Sequence, residues 1–395
     1  METMSGWEIF WIVLAVALAA GAFVLSFLTW RARHLVRAPH PAGPAPTLEA
    51  ERRLVAFVAN PSKPDVAALR DPVERACRGL GLEPLWLETT VDDPGTGQAR
   101  AALEAGAEVV VAAGGDGTVR AVATALQGTG TPMGLLPVGT GNLLARNLDI
   151  PVTDLARSLE IALEGRDRPI DVAWLRITDA PSGDDAAEAG TDHIFLVIAG
   201  IGFDAAMIAD TDTTLKAKVG WIAYFLGGIR HLHGRRLEAH VALDESRRAS
   251  MKLRTLLVGN CGRLPGGITL LPGALVDDGI LDIAAIDTRG GVAGWAQLFG
   301  EVVMQGLGVQ PLTTTKIGRI DHTQAKHVEI RVPGGAQAQV DGDTVGIATA
   351  IECRVDPGGL VVRAPPHELS LTRATRRASR TGCAREPRVH AAERP

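Results

Sequence analysis

Gly114, Gly115, Asp116, Gly117 and Thr118 form the stretch with the clearest capacity for chemistry. Glycines let the main chain come close to a ligand, and main-chain N–H groups at a helix start bind anions with help from the helix dipole. A carboxylate set among them cannot bind an anion and is suited to meeting a metal ion or taking a proton. The stretch reads as a nucleotide phosphate site with one acid in it; the competing reading is a tight strand-to-helix turn whose glycines serve only positive φ angles. A second loop, Pro137, Gly139, Thr140, Gly141 and Asn142, offers a hydroxyl and an amide, and Arg146 one helical turn later either meets phosphate or sits in solvent. Two acidic turns follow much later. Asp277, Asp278, Gly279 and Asp282 can hold a hard cation through carboxylate and backbone oxygen, or serve as ordinary turn residues. Asp341, Gly342 and Asp343 can present a carboxylate as a general base, or form a plain hairpin turn.

These residues need elements to position them. Leu54–Ala59, Leu82–Leu87, Val109–Ala112 and Met133–Leu136 read as strands, and Asp65–Gly79, Gln98–Glu104 and Val119–Leu126 as helices. Their alternation predicts a parallel sheet covered on both faces. Ligands of such sheets collect at the carboxyl ends of the strands, which places the Asn60–Pro61–Ser62 turn and both glycine loops on one edge. From about Arg168 the texture changes to strand-like runs: Ile170–Ile177, His193–Ala199, Leu237–Leu243, Lys252–Gly259, Leu281–Ile286, His327–Val332 and Ala336–Val340. They predict a second domain of antiparallel strands. Asp179–Asp192 reads as an exposed loop or disordered insertion, and Leu215–Leu232 and Val292–Gln305 as apolar helices interrupting the β pattern.

The chain has 395 residues, enough for two domains, and a formal net charge of −5 that argues against a general nucleic-acid binder. Cys77, Cys261, Cys353 and Cys383 are widely separated, so neither a zinc site nor a disulfide framework is suggested. Residues 7–30 read as one membrane-spanning helix: Ile9 to Leu28 is uncharged, with Trp7, Trp11 and Trp30 at its ends. A cleaved signal peptide, the rival, wants a basic start, and this one carries Glu2 and Glu8. Arg31, Arg33 and Arg37 then place the catalytic part in the cytoplasm of a single-pass cytoplasmic-membrane protein. A proline- and alanine-rich linker fills 31–51, the folded parts are expected at 52–165 and 166–371, and 372–395 forms a basic disordered tail. Arg373, Arg376, Arg377 and Arg380 could add attraction to anionic lipid.

Together the Asn60 turn, the Gly114 loop, Pro137–Asn142, the Pro272–Asp282 segment and the late Asp341–Asp343 turn resemble the diacylglycerol kinase catalytic family, which includes bacterial lipid kinases and sphingosine kinases. The resemblance covers Arg53 to about Leu371. It implies an α/β nucleotide-binding domain like those of phosphofructokinases and NAD kinases, then an all-β sandwich domain whose last strand returns to the first. ATP phosphorylates a lipid hydroxyl in the cleft, with diacylglycerol the leading acceptor, at the inner leaflet, with a homodimer allowed and no nucleic-acid partner. By the same resemblance Asn60, Pro61, Ser62, Thr90, Gly114, Gly115, Asp116, Gly117, Thr118 and Thr140 contact ATP. Leu275, Asp278 and Ile280 match a Mg²⁺ site of one carboxylate and neighbouring main-chain groups. Asp343 matches the proton acceptor, usually a glutamate.

Three departures from the family pattern stand out. Asp343 is one methylene shorter than glutamate, which leaves Asp116 as the alternative proton acceptor. Arg120 and Ala121 replace the usual Asn-Glu after the glycine loop, and Leu143 replaces an aspartate common in bacterial members. Two other classes stay open: a soluble-metabolite kinase of NAD-kinase type, and a lipid- or nucleotide-binding protein that has lost catalysis.

Overall fold

The computed structural model describes residues 53–202, 236–244, 247–264, 269–288 and 318–366. The first part alternates strand and helix: β1 (Arg53–Ala59), α1 (Val66–Leu80), β2 (Leu82–Glu88), α2 (Thr96–Glu104), β3 (Val109–Gly114), α3 (Asp116–Leu126) and β4 (Met133–Pro137). Two further helices follow, α4 (Leu143–Asn147) and α5 (Leu155–Glu164). The four strands are parallel in the order β4-β3-β1-β2. The apolar runs of β1, β3 and β4 are buried on both faces, as a doubly covered parallel sheet requires, while the edge strand β2 is partly exposed. Val55, Phe57 and Ala59 pack with α1 and α5 residues such as Val73 and Leu159. The alternate residues Ala56 and Val58 pack with Ala102 of α2 and Val122 and Leu126 of α3.

The second part is built from strands: β5 (Arg166–Asp179), β6 (Asp192–Phe195), β7 (Ile198–Ile201), β8 (Leu237–Leu243), β9 (Arg247–Leu253), β10 (Thr255–Gly259), β11 (Leu281–Thr288), β12 (Gly318–Ala325), β13 (His327–Val340) and β14 (Asp343–Ala364). They enclose a core of their own in which Leu175, Phe195, Val258, Ile283, Ile330 and Ile351 meet. An α/β part therefore precedes a β-sandwich part. Strand pairing runs on from one to the other, because Val362 of β14 lies parallel to Met133 at the start of β4.

Several expectations are refined. The run His193–Ala199 is broken into β6 and β7, because the N–H groups of Leu196, Val197 and Ile198 donate to the Asp341 carboxylate instead of to a neighbouring strand. The run Lys252–Gly259 spans the end of β9 and all of β10, interrupted at Arg254. His327–Val332 and Ala336–Val340 are one strand with a register shift between Arg331 and Ala336. The Asp179–Asp192 stretch is not a disordered insertion: Ala187 is buried and donates to Ile347 O at 2.9 Å, and Ile347 N returns a bond to Asp185 O at 2.8 Å.

The membrane localisation is corrected. Among the described residues no helix is long and apolar enough to cross a membrane. The longest, α1, has 15 residues and reaches about 22 Å, short of a hydrocarbon core of about 30 Å. The segment assigned as the anchor, 7–30, lies outside the described residues, as do the linker 31–51, the tail 372–395 and the helices at Leu215–Leu232 and Val292–Gln305.

Candidate active site

Asn60, Thr90, Gly114–Thr118 and Pro137–Asn142 all follow the carboxyl ends of neighbouring parallel strands, so the topology brings them to one edge. Asn60 ties the edge together. Its N–H donates to Ala113 O at 3.0 Å, its Nδ2 to Thr118 Oγ1 at 3.4 Å, and its Oδ1 accepts from both N and Oγ of Ser62. Thr89 is buried and donates its N–H to Ala59 O, whereas Thr90 is exposed and accepts from Asp93 N.

The glycines are there for close approach rather than for positive φ, since Gly114, Gly115 and Gly117 are absent from the positive-φ set among the described residues. A Cβ on Gly114 would stand 2.5 Å from Thr118, and one on Gly139 would stand 2.5 Å from the Cα of Gly115. The two glycine loops thus touch backbone to backbone. Gly115 ends β3's loop and Asp116 opens α3, leaving the first-turn N–H groups of that helix pointing at the edge. The Asn142 side chain, in a left-handed backbone conformation, is consumed inside its own loop by Gly139 N, Gly139 O and Pro137 O. Arg146 is half-buried, and its Nε donates to Gly141 O at 2.8 Å rather than facing a ligand. Thr140 is exposed.

Asp116 is directed at the second loop. Its Oδ1 accepts from Leu143 N at 2.6 Å, and a Cβ on Gly141 would lie 2.5 Å from its Oδ2. Part of the residue's surface stays exposed, but its carboxyl is enclosed. Burial pushes that carboxyl up to about 6 from its ordinary 3.8, against the pull of the Leu143 N–H and with a further push from the Asp341 charge.

The late Asp-Gly-Asp turn divides its two acids. Asp341 is buried and accepts three main-chain N–H bonds, from Leu196, Val197 and Ile198 at 2.9–3.0 Å. Burial raises its pKa, while Arg120 and those N–H groups act the other way. Asp343 is 61% exposed and points the opposite way, its Oδ2 3.8 Å from where a Cβ on Gly117 would be. The proton-acceptor candidate therefore sits beside the first turn of α3, although it is 226 positions further along the chain than Gly117 (343 − 117).

Leu275, Asp278 and Ile280 are not brought to this edge. Their turn packs through Gly279 on Pro357, and the same β14 bend binds the far end of α3: Gln127 Nε2 donates to Asp356 Oδ2 and Gly128 N to Gly359 O. The α3 helix, about 15 Å long at 1.5 Å per residue, runs from the glycine loop at its start to this bend at its far end. Asp278 Oδ1 accepts from Ile280 N at 3.2 Å, and the turn is anchored by the buried Asp171, which accepts from Gly279 N and Gly358 N. Carboxylate and main-chain oxygens suit Mg²⁺ in kind, but at the amino edge of the sheet they do not reach phosphates held by the glycine loops. Among the described residues no three His, Cys, Asp or Glu side chains cluster as a metal cage.

Two cations belong to the site that motif reading did not assign to it. Lys63 follows the Asn60 turn and lies with Cε 3.8 Å from the Cβ position of Gly115. Arg120, which the sequence presents as a departure from a motif, donates through Nη1 to Val340 O at 2.9 Å and through Nη2 to Asp343 Oδ2 at 2.5 Å. The available signal was its place one helical turn after Gly117, on the same helix face. His193 shares this field: burial first, and Arg120 second, hold its pKa below the ordinary 6.5.

Comparison with known proteins agrees with the two-part fold. Residues 55–175 match the diacylglycerol kinase catalytic domain, and 196–364 the YegS C-terminal NAD kinase beta sandwich-like domain. A probable lipid kinase YegS-like of Pseudomonas savastanoi pv. phaseolicola is 32% identical over 280 residues, 69% of this chain and 81% of that protein. A namesake from Klebsiella pneumoniae is 34% identical over 46% of this chain. That match and one to an uncharacterised Synechocystis protein, 28% identical over 66% of this chain, span only 57% and 55% of the relatives' own lengths. A putative diacylglycerol kinase from Bacillus anthracis shares the fold, with a TM-score of 0.61 at 21% identity over 80% of this chain and 98% of that one. On the matched domains and the extent of the Pseudomonas relationship, the chain belongs to the diacylglycerol kinase catalytic-domain family, among the YegS-like lipid kinases.

Proposed function

We propose that the chain transfers the γ-phosphoryl group of ATP to a lipid hydroxyl, with diacylglycerol as acceptor and phosphatidic acid as product. The observation that carries this reading is the Asp343 carboxylate standing beside Gly117, at the mouth of two glycine loops in backbone contact. The first-turn N–H groups of α3 and the Lys63 ammonium bind and orient the phosphates. Asp116 holds the second loop in place through Leu143 N, so Thr140 and the backbone of that loop stay fixed as the phosphates settle. Exposed on the cleft side, Asp343 takes the proton of the acceptor hydroxyl, and the enclosed Asp116 acts as a positioning residue. The exposed Asp343 carboxylate would be the group to hold a Mg²⁺ that came with the nucleotide, and such an ion would supply charge neutralisation at the phosphates. The turn of Leu275, Asp278 and Ile280 is the place for a separate, structural cation. Diacylglycerol as the acceptor rests on the match to the diacylglycerol kinase catalytic domain.

The test is Asp343→Asn assayed with labelled ATP, Mg²⁺ and diacylglycerol dispersed in detergent. Loss of the base is expected to lower transfer by about 10²–10⁴-fold with ATP binding retained. Wild-type transfer into phosphatidic acid is the supporting result. Label in another lipid changes the acceptor and keeps the class, while full activity of Asp343→Asn removes Asp343 from the reaction.

A further inference from the structure

Resting on that reading of Asp343, we propose that Arg120 is the positioning residue that sets where the short Asp343 carboxylate stands. An aspartate on a 61% exposed turn has two free side-chain torsions and no packing to fix them. Arg120 supplies the constraint. Its guanidinium is itself only 19% exposed and is held from three sides. Nη1 donates to Val340 O, Nη2 donates to Asp343 Oδ2, and the buried Asp341 carboxylate attracts it through space. Asp341 is in turn fixed by three N–H groups at the β6–β7 break. The chain of interactions runs from a rigid main-chain nest through the charge of Asp341 and the Arg120 guanidinium to Asp343, and it ends against Gly117. A guanidinium does this because its planar fork donates in two fixed directions at once, which an ammonium on a flexible stem does not.

The arrangement also accounts for two residue choices together. With Arg120 filling the space between the helix and the turn, an aspartate reaches the fork. A glutamate would carry its carboxylate past it. The two positions are therefore coupled: each residue is the right length only beside the other.

The experiment is a double-mutant cycle on the full chain with Arg120→Asn, Asp343→Glu and the pair combined, read as kcat and the KM for ATP with the acceptor lipid, and with Arg120→Lys as the variant that keeps charge but loses the fork. Each single change is expected to lower kcat by on the order of 10–100-fold with little effect on the KM for ATP, Arg120→Lys to remain impaired, and the combined variant to exceed either single. Effects that simply multiply, or an Arg120→Asn enzyme with wild-type kcat, would overturn the proposal. A crystal structure of Arg120→Asn reads the same point without activity. Asp343 is expected to leave Gly117 while Asp341 keeps its three N–H partners, and an unmoved Asp343 refutes the positioning role. Failure of the wild-type protein to phosphorylate any lipid would instead count against the function proposed above, and the structural readout would still decide this one.

Discussion

The contact between the two glycine loops makes an asymmetric prediction about two glycines that face each other. Adding a Cβ to Gly139 places it 2.5 Å from the Gly115 Cα and 2.9 Å from Asn142 Oδ1, whereas adding one to Gly115 brings it only to 3.5 Å from the Gly139 Cα. A carbon pair needs roughly 3.5–4 Å, so Gly139→Ala must open the loops by about 1 Å, and Gly115→Ala fits as it stands. Neither of the yielding partners of Gly139 is a flexible tip: one is backbone and the other is the amide that closes the loop through Gly139 N and O. Forced overpacking of this kind costs about 1–3 kcal/mol. A displacement of about 1 Å in groups that position a reacting ligand can cost about a hundredfold in rate. Gly139→Ala is thus expected to lower Tm by several degrees, at about 2–4 °C per kcal/mol for a domain of this class, and kcat/KM for ATP by about a hundredfold. Gly115→Ala should melt with the wild type. Gly79→Ala, in a helix with nothing within 4 Å of the new methyl, should melt slightly higher. Thermal unfolding and initial-rate kinetics on the three variants decide the matter. Equal Tm and equal kinetics for Gly139→Ala and Gly115→Ala would refute the backbone contact and with it the placement of both loops.

Two further outcomes follow from the charged groups. The Asp116 carboxyl titrates up to about 6 in the fold against an ordinary 3.8, so between those values the folded chain holds the proton more tightly than the unfolded one, and this group's contribution to stability falls as pH rises through that window and stays lost above it. Asp116→Asn, which keeps an acceptor for Leu143 N, should therefore gain on the wild type by on the order of 1–3 kcal/mol between pH 4 and pH 7 in urea unfolding, and a pH-independent difference would contradict the enclosed carboxylate. The turn of Leu275, Asp278 and Ile280 packs on the β14 bend that binds the end of α3 away from the glycine loop, so Mg²⁺ without nucleotide should raise the Tm of the wild type more than that of Asp278→Ala, while the KM for ATP is the same in both. A raised KM for ATP in Asp278→Ala would return this turn to the phosphate site.

The difference between what the sequence disclosed and what it hid follows the range of the interactions involved. Strands β1, β3 and β4 were readable because an apolar run buried on both faces leaves its mark within five to seven neighbouring residues. The parallel topology then forced the Asn60 turn and both glycine loops onto one edge without further information. The break between β6 and β7 was not readable. Nothing local in Leu196–Val197–Ile198 signals it, since its cause is the carboxylate of Asp341, 145 positions further along the chain than Leu196. The same holds for Arg120. By motif it was a mismatch, and only its partner 223 positions away gives it a place at the site. Asp341 and Asp343 show the limit most sharply. Two identical side chains one glycine apart look interchangeable in the sequence, yet the left-handed backbone at Asp341 and Gly342 turns one into a buried nest of N–H donors and the other out to the cleft. Sequence spacing states which residue types are available. Their separation into a buried acid and an exposed one is decided by which neighbour each meets after the β13–β14 turn has closed.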